Sequence, residues 1–331
     1  MFSLGGFSGG KDYENKTWDV LIIGAGPAGF TAAIYAARFG LETLIISKDI
    51  GGNMALTDLI ENYPGFPEGI SGSELASKMH EHVKKLGVDV VFDEVERIDP
   101  AECAYYEGPC KFVVKTKNGK EYKGRTIIIA VGAAPRKLHV PGEEEFTGRG
   151  VSYCATCDGP LFKGKKVIVV GGGNTALQEA LYLKSIGVDV TLVHRRDQFR
   201  ADKILQDRFK ESGIPTILNT VVTEIKGTNK VEAVKLKNVK TGEEWEMEVD
   251  GVFIFIGYEP KTDFAKHLGI TDDYGYIPVD MYMRTKVPGI FAAGDITNVF
   301  KQIAVAVGQG AIAANSAKEF LEEWKTKNGV E

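Results

Sequence analysis

The sequence predicts an α/β fold made of two units, because the same succession of buried strand, glycine-rich turn, helix and second strand occurs twice. The first turn is Gly24-Ala25-Gly26-Pro27-Ala28-Gly29, and the second is Gly171-Gly172-Gly173-Asn174-Thr175-Ala176. A chain of 331 residues, 44% of them hydrophobic, also exceeds the usual size of one domain. Two domains are therefore expected.

Composition and charge exclude several classes of protein. The formal net charge is -5 at pH 7, whereas a general nucleic-acid binder would need a basic face for the phosphates. The apolar runs are far shorter than the roughly 20 residues that span a bilayer, and the amino terminus lacks the pattern of a secretion signal. We therefore expect a soluble, cytoplasmic protein that binds neither nucleic acid nor membrane.

The first unit opens with a buried strand at residues 18–23, and an alanine-rich helix follows the turn and continues through Ala37. A second strand is predicted at residues 42–47. In a turn of this type, one glycine permits the sharp bend, one lets backbone amides approach a pyrophosphate, and one lets the helix pack on the strand. Because a helix amino terminus also attracts phosphate, this turn predicts a Rossmann-like dinucleotide site.

The second strand of this unit ends in Ser47, where such sites usually carry an acidic residue that binds the ribose. Asp49 is the nearest acidic candidate. Gly52, with Asn53 beside it, would let backbone amides come close to a ligand. Asn62 lies in a proline-containing loop, and a turn stabilised by proline alone explains this loop as well as a binding role does.

The second unit repeats the pattern, with strands at residues 166–170 and 189–193 and a helix at residues 177–186. Its last strand ends in a basic segment instead of an acidic residue. A carboxylate there would bind the free 2′-hydroxyl of NADH, whereas guanidinium groups form paired hydrogen bonds with the 2′-phosphate of NADPH. The segment therefore predicts a preference for NADPH, and a solvated basic turn is the alternative. Its residues are His194, Arg195, Arg196, Asp197, Gln198, Phe199 and Arg200.

Two cysteines form a Cys-x-x-Cys pattern at Cys154 and Cys157, and Asp158 follows directly. A close pair of thiols exchanges two electrons as dithiol and disulfide, and a short loop of this kind can lower the pKa of one thiol toward neutrality. Beside two nucleotide sites, the pair predicts electron transfer from a nucleotide cofactor to a disulfide. Cys103 and Cys110 are interpreted as inert thiols, with oxidation to a pair as the alternative, and no metal site is expected.

Near the carboxyl end, a short buried strand at residues 288–293 leads into Gly294 and Asp295. An acidic residue at a strand end can bind a ribityl or ribose hydroxyl, but an aspartate that closes a turn fits the same pattern. The helix that starts near Gln302 is rich in alanine and glycine, so that a flat ligand or another backbone segment can approach it. Close packing without a ligand is the alternative.

Together, these residues resemble the low-molecular-weight thioredoxin reductase family over essentially the whole chain, from about Trp18 to Leu321. The most specific marks are the Cys-Ala-Thr-Cys-Asp segment at 154–158, the two glycine turns, the His-Arg-Arg-x-x-x-Arg segment at 194–200, and Gly294-Asp295. The resemblance implies a homodimer with two Rossmann-like domains. The NADPH domain, at residues 137–253, would be inserted into an FAD domain at residues 1–136 and 254–331.

The resemblance also implies the reaction and the residues that carry it. Hydride passes from NADPH to FAD, electrons pass on to the Cys154–Cys157 disulfide, and the dithiol reduces thioredoxin or a glutaredoxin-like protein disulfide oxidoreductase. Cys157 would face the flavin, Cys154 would attack the partner, and Asp158 would transfer protons. The implied cofactor-binding residues are Gly24, Gly26, Pro27, Ala28, Gly29, Asp49, Gly52, Asn53, Asn62, Gly132, Gly171, Gly173, Asn174, Thr175, His194, Arg195, Arg196, Arg200, Gly294, Asp295, Lys301, Gln302 and Ile303.

Nicotinamide and dithiol cannot occupy one flavin face together, so the resemblance implies that one domain rotates against the other, with hinges near residues 136–141 and 252–260. Three positions depart from the family pattern. Lys301 stands where arginine is common, Tyr258 where histidine is frequent, and Asn53 where glutamine is often found.

Two other functions fit the same motifs. One is the flavoprotein that supplies electrons to a peroxidase, which normally carries an extra amino-terminal region. The other is a nucleotide-binding sensor or interaction protein whose Cys154–Cys157 disulfide is merely structural. The identity of the protein partner and the degree of preference for NADPH over NADH stay open at this point.

Overall fold

The computed structural model describes residues 13–57, 60, 62–101 and 111–328. Cys103 and Cys110 lie outside these residues. The described residues form two compact units. The first consists of Met1–Leu56, Gly72–Ala133 and Pro260–Glu331 as far as they are described, and the second of Thr57–Ser71 and Ala134–Glu259.

Strands and helices alternate along much of the chain. The strands are β1 (Thr17–Ile23), β2 (Thr43–Ser47), β3 (Asp89–Phe92), β4 (Val95–Ala101), β5 (Lys111–Thr116), β6 (Glu121–Ile129), β7 (Ala133–Pro135), β8 (Val151–Ser152), β9 (Lys166–Gly171), β10 (Asp189–Val193), β11 (Thr216–Ile217), β12 (Thr220–Gly227), β13 (Val231–Asn238), β14 (Glu244–Glu248), β15 (Gly251–Phe255), β16 (Tyr258–Pro260) and β17 (Ile290–Ala292). The α-helices are α1 (Pro27–Arg38), α2 (Gly72–Lys85), α3 (Ala155–Asp158), α4 (Asn174–Ser185), α5 (Lys203–Glu211) and α6 (Ile303–Asn328). Short 3-10 helices span Gly52–Leu56, Gly159–Phe162, Asp263–Leu268 and Asp295–Thr297.

The sheet of the first unit has the strand order β3-β2-β1-β6-β5-β4, and β17 also pairs with β6. Its central strands pair in parallel, whereas β4 and β5 are antiparallel. A parallel sheet that is covered on both faces needs continuously apolar strands, and Leu21, Ile22 and Ile45 are accordingly fully buried. Alanines of α1 and α6 pack on the face that carries Ile22. The two strands and the helix predicted for this unit are therefore confirmed.

The sheet of the second unit is entirely parallel, with the strand order β11-β10-β9-β15-β8. Helices α4 and α5 cover one of its faces through Leu177, Leu205 and their neighbours. A three-stranded antiparallel sheet, β12-β13-β14, covers the other face and shares a core with Ile168 and Val170 of β9. The predicted strands at 166–170 and 189–193 are confirmed, whereas the antiparallel sheet is a finding of the structure.

Two element boundaries differ from the sequence predictions by more than one residue. Helix α4 starts at Asn174, not at residue 177, because the last residues of the glycine turn already have helical backbone and Gly173 is the residue before the helix. Strand β17 starts at Ile290, two residues later than expected, because Gly289 still has a left-handed backbone angle, with φ of 83°.

The segments where hinges are expected enter and leave the second unit side by side. Strands β7 and β16 form a two-stranded sheet, and the Arg136 amide donates a hydrogen bond of 2.9 Å to the Gly257 carbonyl. Among the described helices, none combines the length and the hydropathy that a membrane span would require.

Candidate functional site

The first glycine turn has the geometry that a dinucleotide site requires. Gly24 has a φ of 107°, and a Cβ atom there would lie 2.5 Å from the Ala130 carbonyl oxygen. A Cβ at Gly29 would lie 1.9 Å from the oxygen of Gly24, so only glycine lets α1 start this close to the strand. The amino terminus of α1 begins after Gly26 without a side-chain cap. No capping side chain accepts a hydrogen bond from the first backbone N–H groups of the helix. These groups are therefore suited to bind phosphate oxygens.

Ser47 occupies the strand end where dinucleotide sites usually carry an acidic residue, and its side chain stabilises the turn. Its hydroxyl accepts a hydrogen bond of 3.1 Å from the Ala25 amide and donates one of 2.8 Å to the Asp49 carbonyl. The Asp49 side chain is exposed. The Gly51 amide adds a bond of 2.7 Å to the Ala25 carbonyl. These bonds hold the loop after β2 against the glycine turn.

Several of the residues predicted to bind the first cofactor lie beside the first glycine turn. A Cβ at Gly52 would lie 3.9 Å from the Cα atom of Gly26, so the two segments are neighbours. The Asn53 side-chain amide donates a bond of 2.9 Å to the Ala133 carbonyl. Gly132, the residue before Ala133, has a φ of 67° and open space where a side chain would stand. Asn62 is exposed and lies in the segment grouped with the second unit.

Gly294 and Asp295 also lie at the start of α1. A Cβ at Gly294 would stand 3.1 Å from the Cβ of Ala28. Burial raises the pKa of Asp295 to about 6, and the nearby Lys301 ammonium opposes part of this shift. The Lys301 Nζ atom donates a bond of 2.8 Å to the Asn298 side chain. A largely buried carboxylate at a strand end is suited to accept hydrogen bonds from ligand hydroxyls.

Gln309 holds this carboxyl-end segment, and sequence reasoning missed it. Its side-chain oxygen accepts hydrogen bonds of 2.7 Å from the Gly294 amide and 3.2 Å from the Thr297 hydroxyl. The residue is buried on α6, whereas Gln302 and Ile303 stand at the start of that helix. An amide side chain among the small or apolar residues of the first half of the helix, residues 303–314, is the signal that could have revealed it.

The second glycine turn is built in the same way. A Cβ at Gly171 would lie 2.4 Å from the Phe255 carbonyl oxygen, so the turn tolerates only glycine there. Gly173 precedes α4 without a side-chain cap and with open space around it. The Asn174 side chain exchanges two hydrogen bonds with Asp202, of 2.8 and 2.7 Å. Thr175 is exposed in the first turn of the helix.

The predicted arginine cluster lies next to this turn. The Arg200 amide donates a hydrogen bond of 2.8 Å to the Gly172 carbonyl, which joins the basic segment to the turn. The side chains of Arg195 and Arg196 are exposed at the end of β10. Asp197, the acidic residue among them, pairs with Lys240 at 2.8 Å. The guanidinium groups therefore face solvent beside an uncapped helix terminus, which suits a nucleotide carrying an additional phosphate.

His194 has a different environment from the arginines that follow it. Its ring is buried and lies beneath Gly172, where a Cβ atom would come within 2.2 Å of the ring. The Nε2 atom lies 3.0 Å from the Gln198 carbonyl oxygen. Burial lowers the pKa of His194. The imidazole therefore supports the turn and the basic segment from below, and a direct contact with the nucleotide stays a prediction.

The two central cysteines form a disulfide, with their Cα atoms 5.3 Å apart. Cys154 is the residue before the short helix α3, and its sulfur accepts a hydrogen bond of 3.2 Å from the Cys157 amide. The Thr156 hydroxyl lies 3.4 Å from the same sulfur. Hydrogen-bond donors directed at a sulfur favour its thiolate form after reduction. Both contacts are made to the sulfur of Cys154.

Asp158 is held by a serine that the sequence analysis did not select. The Ser152 hydroxyl lies 2.6 Å from Asp158 Oδ2 and accepts a hydrogen bond of 3.1 Å from the Cys154 amide. The Asp158 amide in turn donates a bond of 3.1 Å to the Cys154 carbonyl. The disulfide loop and the carboxylate are therefore parts of one hydrogen-bonded structure.

The two glycine turns and the disulfide together define a class, the oxidoreductases that use nucleotide cofactors to act on disulfides. A family model described as pyridine nucleotide-disulphide oxidoreductase matches residues 18–310. The thioredoxin reductase of Bacillus subtilis is 49% identical over 94% of this chain and 96% of its own length. That of Listeria monocytogenes is 47% identical over 94% of this chain and 96% of its own. The crystal structure of thioredoxin reductase from Streptococcus pyogenes superposes with a TM-score of 0.86, at 47% identity, over 93% of this chain and 99% of its own.

The chain therefore belongs to the pyridine nucleotide-disulphide oxidoreductase family, among its thioredoxin reductases. This confirms the resemblance and the α/β fold class predicted from the sequence. FAD and NADPH are its cofactors, and the described residues fit both. Uncapped helix termini with open glycines are present twice, at Gly26 and Gly173. The buried Asp295 fits a hydroxyl-rich ligand, and the exposed arginines fit a 2′-phosphate.

Proposed function

We propose that this protein is an NADPH-dependent thioredoxin-disulfide reductase whose redox centre is the Cys154–Cys157 disulfide. The observation that carries the proposal is the disulfide itself, held at the start of a short helix in the unit that also contains the second glycine turn. The relatives named thioredoxin reductase support thioredoxin as the partner. A glutaredoxin-like protein disulfide oxidoreductase offers the same chemistry to Cys154.

When bound, NADPH supplies a hydride and FAD passes its two electrons to the protein disulfide. In the reduced protein, the Cys154 thiolate attacks one sulfur of the partner's disulfide, forms a mixed disulfide and releases the first partner thiolate. The Cys157 thiolate then attacks Cys154 Sγ, which restores the protein's own disulfide and releases the second partner thiolate. Asp158 gives one proton to each released thiolate and takes up a proton from solvent before each transfer. Two electrons and two protons thus pass to the partner in each cycle.

The first glycine turn and its surroundings would hold FAD, and the second turn with the arginine cluster would hold NADPH. In this assignment residues 1–136 and 254–331 form the FAD domain and residues 137–253 the NADPH domain. The boundaries between the two compact units at residues 133–134 and 259–260 support it, whereas Thr57–Ser71 is grouped with the second unit. Rotation of one domain against the other, about the segments that carry β7 and β16, belongs to the same proposal.

The protein acts as a homodimer in the cytoplasm in this proposal. An aromatic pair on α1 supports dimer formation. Tyr35 and Phe39 are 42% and 36% exposed, and their ring centroids lie 6.2 Å apart. Lys318 of α6 lies over the Phe39 ring at 5.5 Å. Aromatic side chains are enriched where a partner covers a protein surface. Sedimentation of the holoprotein and of Tyr35→Glu tests whether this face joins two subunits.

An anaerobic titration with NADPH, followed by flavin absorbance and free thiols together, tests the proposed reaction. We expect about two two-electron equivalents per subunit and two new thiols, because flavin and disulfide are reduced in series. NADH serves as the control nucleotide. Uptake of about one equivalent without new thiols would show that the disulfide does not exchange electrons with the flavin. Oxidised thioredoxin and an oxidised glutaredoxin-like protein, added next, identify the partner.

A further inference from the structure

We propose that Ser152 is a positioning residue of the redox centre, which orients the Asp158 carboxylate for proton transfer to the released thiolates. This inference rests on the proposed function. The single hydroxyl hydrogen of Ser152 has two acceptors within reach, Asp158 Oδ2 at 2.6 Å and the Cys154 carbonyl oxygen at 3.3 Å. The shorter distance and the negative charge of the carboxylate favour donation to Asp158.

Ser152 is itself fixed by the sheet of the second unit. It ends strand β8, which pairs in parallel with β15 so that Ser152 stands opposite Phe253. Phe253 is fully buried, and Ser152 is only 4% exposed. A residue on a buried strand moves less than the loop that follows it. Through its hydrogen bond, the hydroxyl therefore holds the carboxylate of Asp158, which follows the disulfide loop, in a fixed position relative to the sheet.

The same hydroxyl connects the two ends of the disulfide loop. It accepts a hydrogen bond from the Cys154 amide while it donates to the side chain of Asp158. The backbone of Asp158 is bonded to Cys154 as well, through its amide. The attacking cysteine and the carboxylate consequently keep one relative orientation. Without the hydroxyl, the carboxylate loses its bond of 2.6 Å to the end of β8, and fewer encounters would have it directed at the thiolate.

Ser152 is buried and therefore does not form part of the surface that a protein partner contacts. Its loss should slow proton transfer after the partner has bound, without weakening the binding itself. A purely structural role would instead lower thermal stability and leave the kinetics of the folded fraction unchanged. A role in partner docking would raise KM. These three outcomes are experimentally distinct.

The test is a double-mutant cycle on the holoenzyme with Ser152→Ala, Asp158→Asn and the double variant, assayed with NADPH and oxidised thioredoxin. We expect Ser152→Ala to lower kcat about tenfold or more and to change KM less than about twofold. In the Asp158→Asn background the same substitution should lower kcat less than about twofold, because the carboxylate on which Ser152 acts is already absent. Ser152→Thr, which keeps the hydroxyl, should recover much of kcat.

Thr220→Val is the matched control, because Thr220 is another buried hydroxyl of the second unit and donates a hydrogen bond of 2.8 Å to the Leu218 carbonyl. It should leave kcat unchanged. Equal effects of Ser152→Ala in both backgrounds, an unchanged kcat, or a loss confined to KM would overturn the inference while the proposed function stands. A wild-type protein that does not reduce the partner at all would instead refute the proposed function.

Discussion

The Tyr153 hydroxyl donates a hydrogen bond of 2.8 Å to the carboxylate of Glu143, ten residues earlier in the chain. Glu143 is only 1% exposed and also accepts bonds from the amides of Leu138 and His139, at 2.9 and 2.7 Å. Burial, reinforced by the Glu143 charge, raises the pKa of Tyr153 well above its usual value. The phenol therefore stays a donor across the physiological range. One buried carboxylate thus joins the start of the second unit to the residue before Cys154.

Replacement of Glu143 by alanine is expected to destabilise the protein strongly. The change leaves two backbone amides and a half-buried phenol without their acceptor, which should lower the free energy of unfolding by about 3 kcal/mol or more. Thermal unfolding of the purified protein measures this. Glu144→Ala is the control, because Glu144 is exposed and pairs with Lys137 on the surface, so its loss should cost at most about 1 kcal/mol. Equal losses in the two variants would contradict the prediction.

Single serine substitutions of the two cysteines should have opposite effects on the partner complex. Cys157→Ser keeps the attacking thiol but lacks the thiol that resolves the intermediate, so a mixed disulfide with thioredoxin should accumulate. Cys154→Ser should form no such complex and reduce no partner, although NADPH should still bleach its flavin. Non-reducing electrophoresis and flavin absorbance provide the two measurements. If Cys154→Ser trapped the partner instead, the roles of the two thiols would be reversed.

Substitution of an arginine at the end of β10 should change the preference between the nucleotides. Arg196→Ala removes a guanidinium group that suits the 2′-phosphate, so KM for NADPH is expected to rise about 10- to 100-fold. The KM for NADH, which lacks this phosphate, should change little. Arg208→Ala on α5, an exposed arginine of the same unit, is the control. Equal increases in KM for the two nucleotides would indicate general damage to the site.

Asp295 makes the stability of the flavin-free protein depend on pH. Its pKa in the folded protein is about 6, above the ordinary value of 3.8. A raised carboxyl pKa stabilises the fold fully below the unfolded-state value, and this stabilisation is lost as pH rises through the folded-state value. A shift of about two units corresponds to about 3 kcal/mol of unfolding free energy as an upper limit.

Asp295→Asn cannot ionise and should therefore stabilise the flavin-free protein at about pH 7.5 by up to about 3 kcal/mol, with little effect near pH 4. The same variant should retain less FAD, because a carboxylate accepts hydrogen bonds from ligand hydroxyls more strongly than an amide. Urea unfolding at the two pH values and flavin content after gel filtration are the measurements. Asp207→Asn, on the surface of α5, is the control. A pH-independent gain would show that Asp295 does not titrate as described.

The parts of this protein that depend on residues close together in the chain could be predicted from its amino-acid sequence. Three such local patterns occur here: a glycine turn between a strand and a helix, a Cys-x-x-Cys pair, and arginines at a strand end. Few other residue types meet the backbone or chemical requirements of these patterns. Both turns, their flanking elements and the disulfide could therefore be predicted. Membership of a nucleotide-dependent disulfide oxidoreductase family followed from the same local signals.

The distant side chains that support these patterns are identified by the folded structure and not by the sequence. Gln309 reaches Gly294, Glu143 reaches Tyr153, and the β12-β13-β14 sheet covers the parallel sheet of the second unit. The partner of a buried polar side chain depends on where the folded backbone places the two groups. No periodic pattern in the sequence indicates which groups will meet. Ser152 is the sharpest case, because a serine at the end of a short strand carries no signal until its hydroxyl is found 2.6 Å from Asp158.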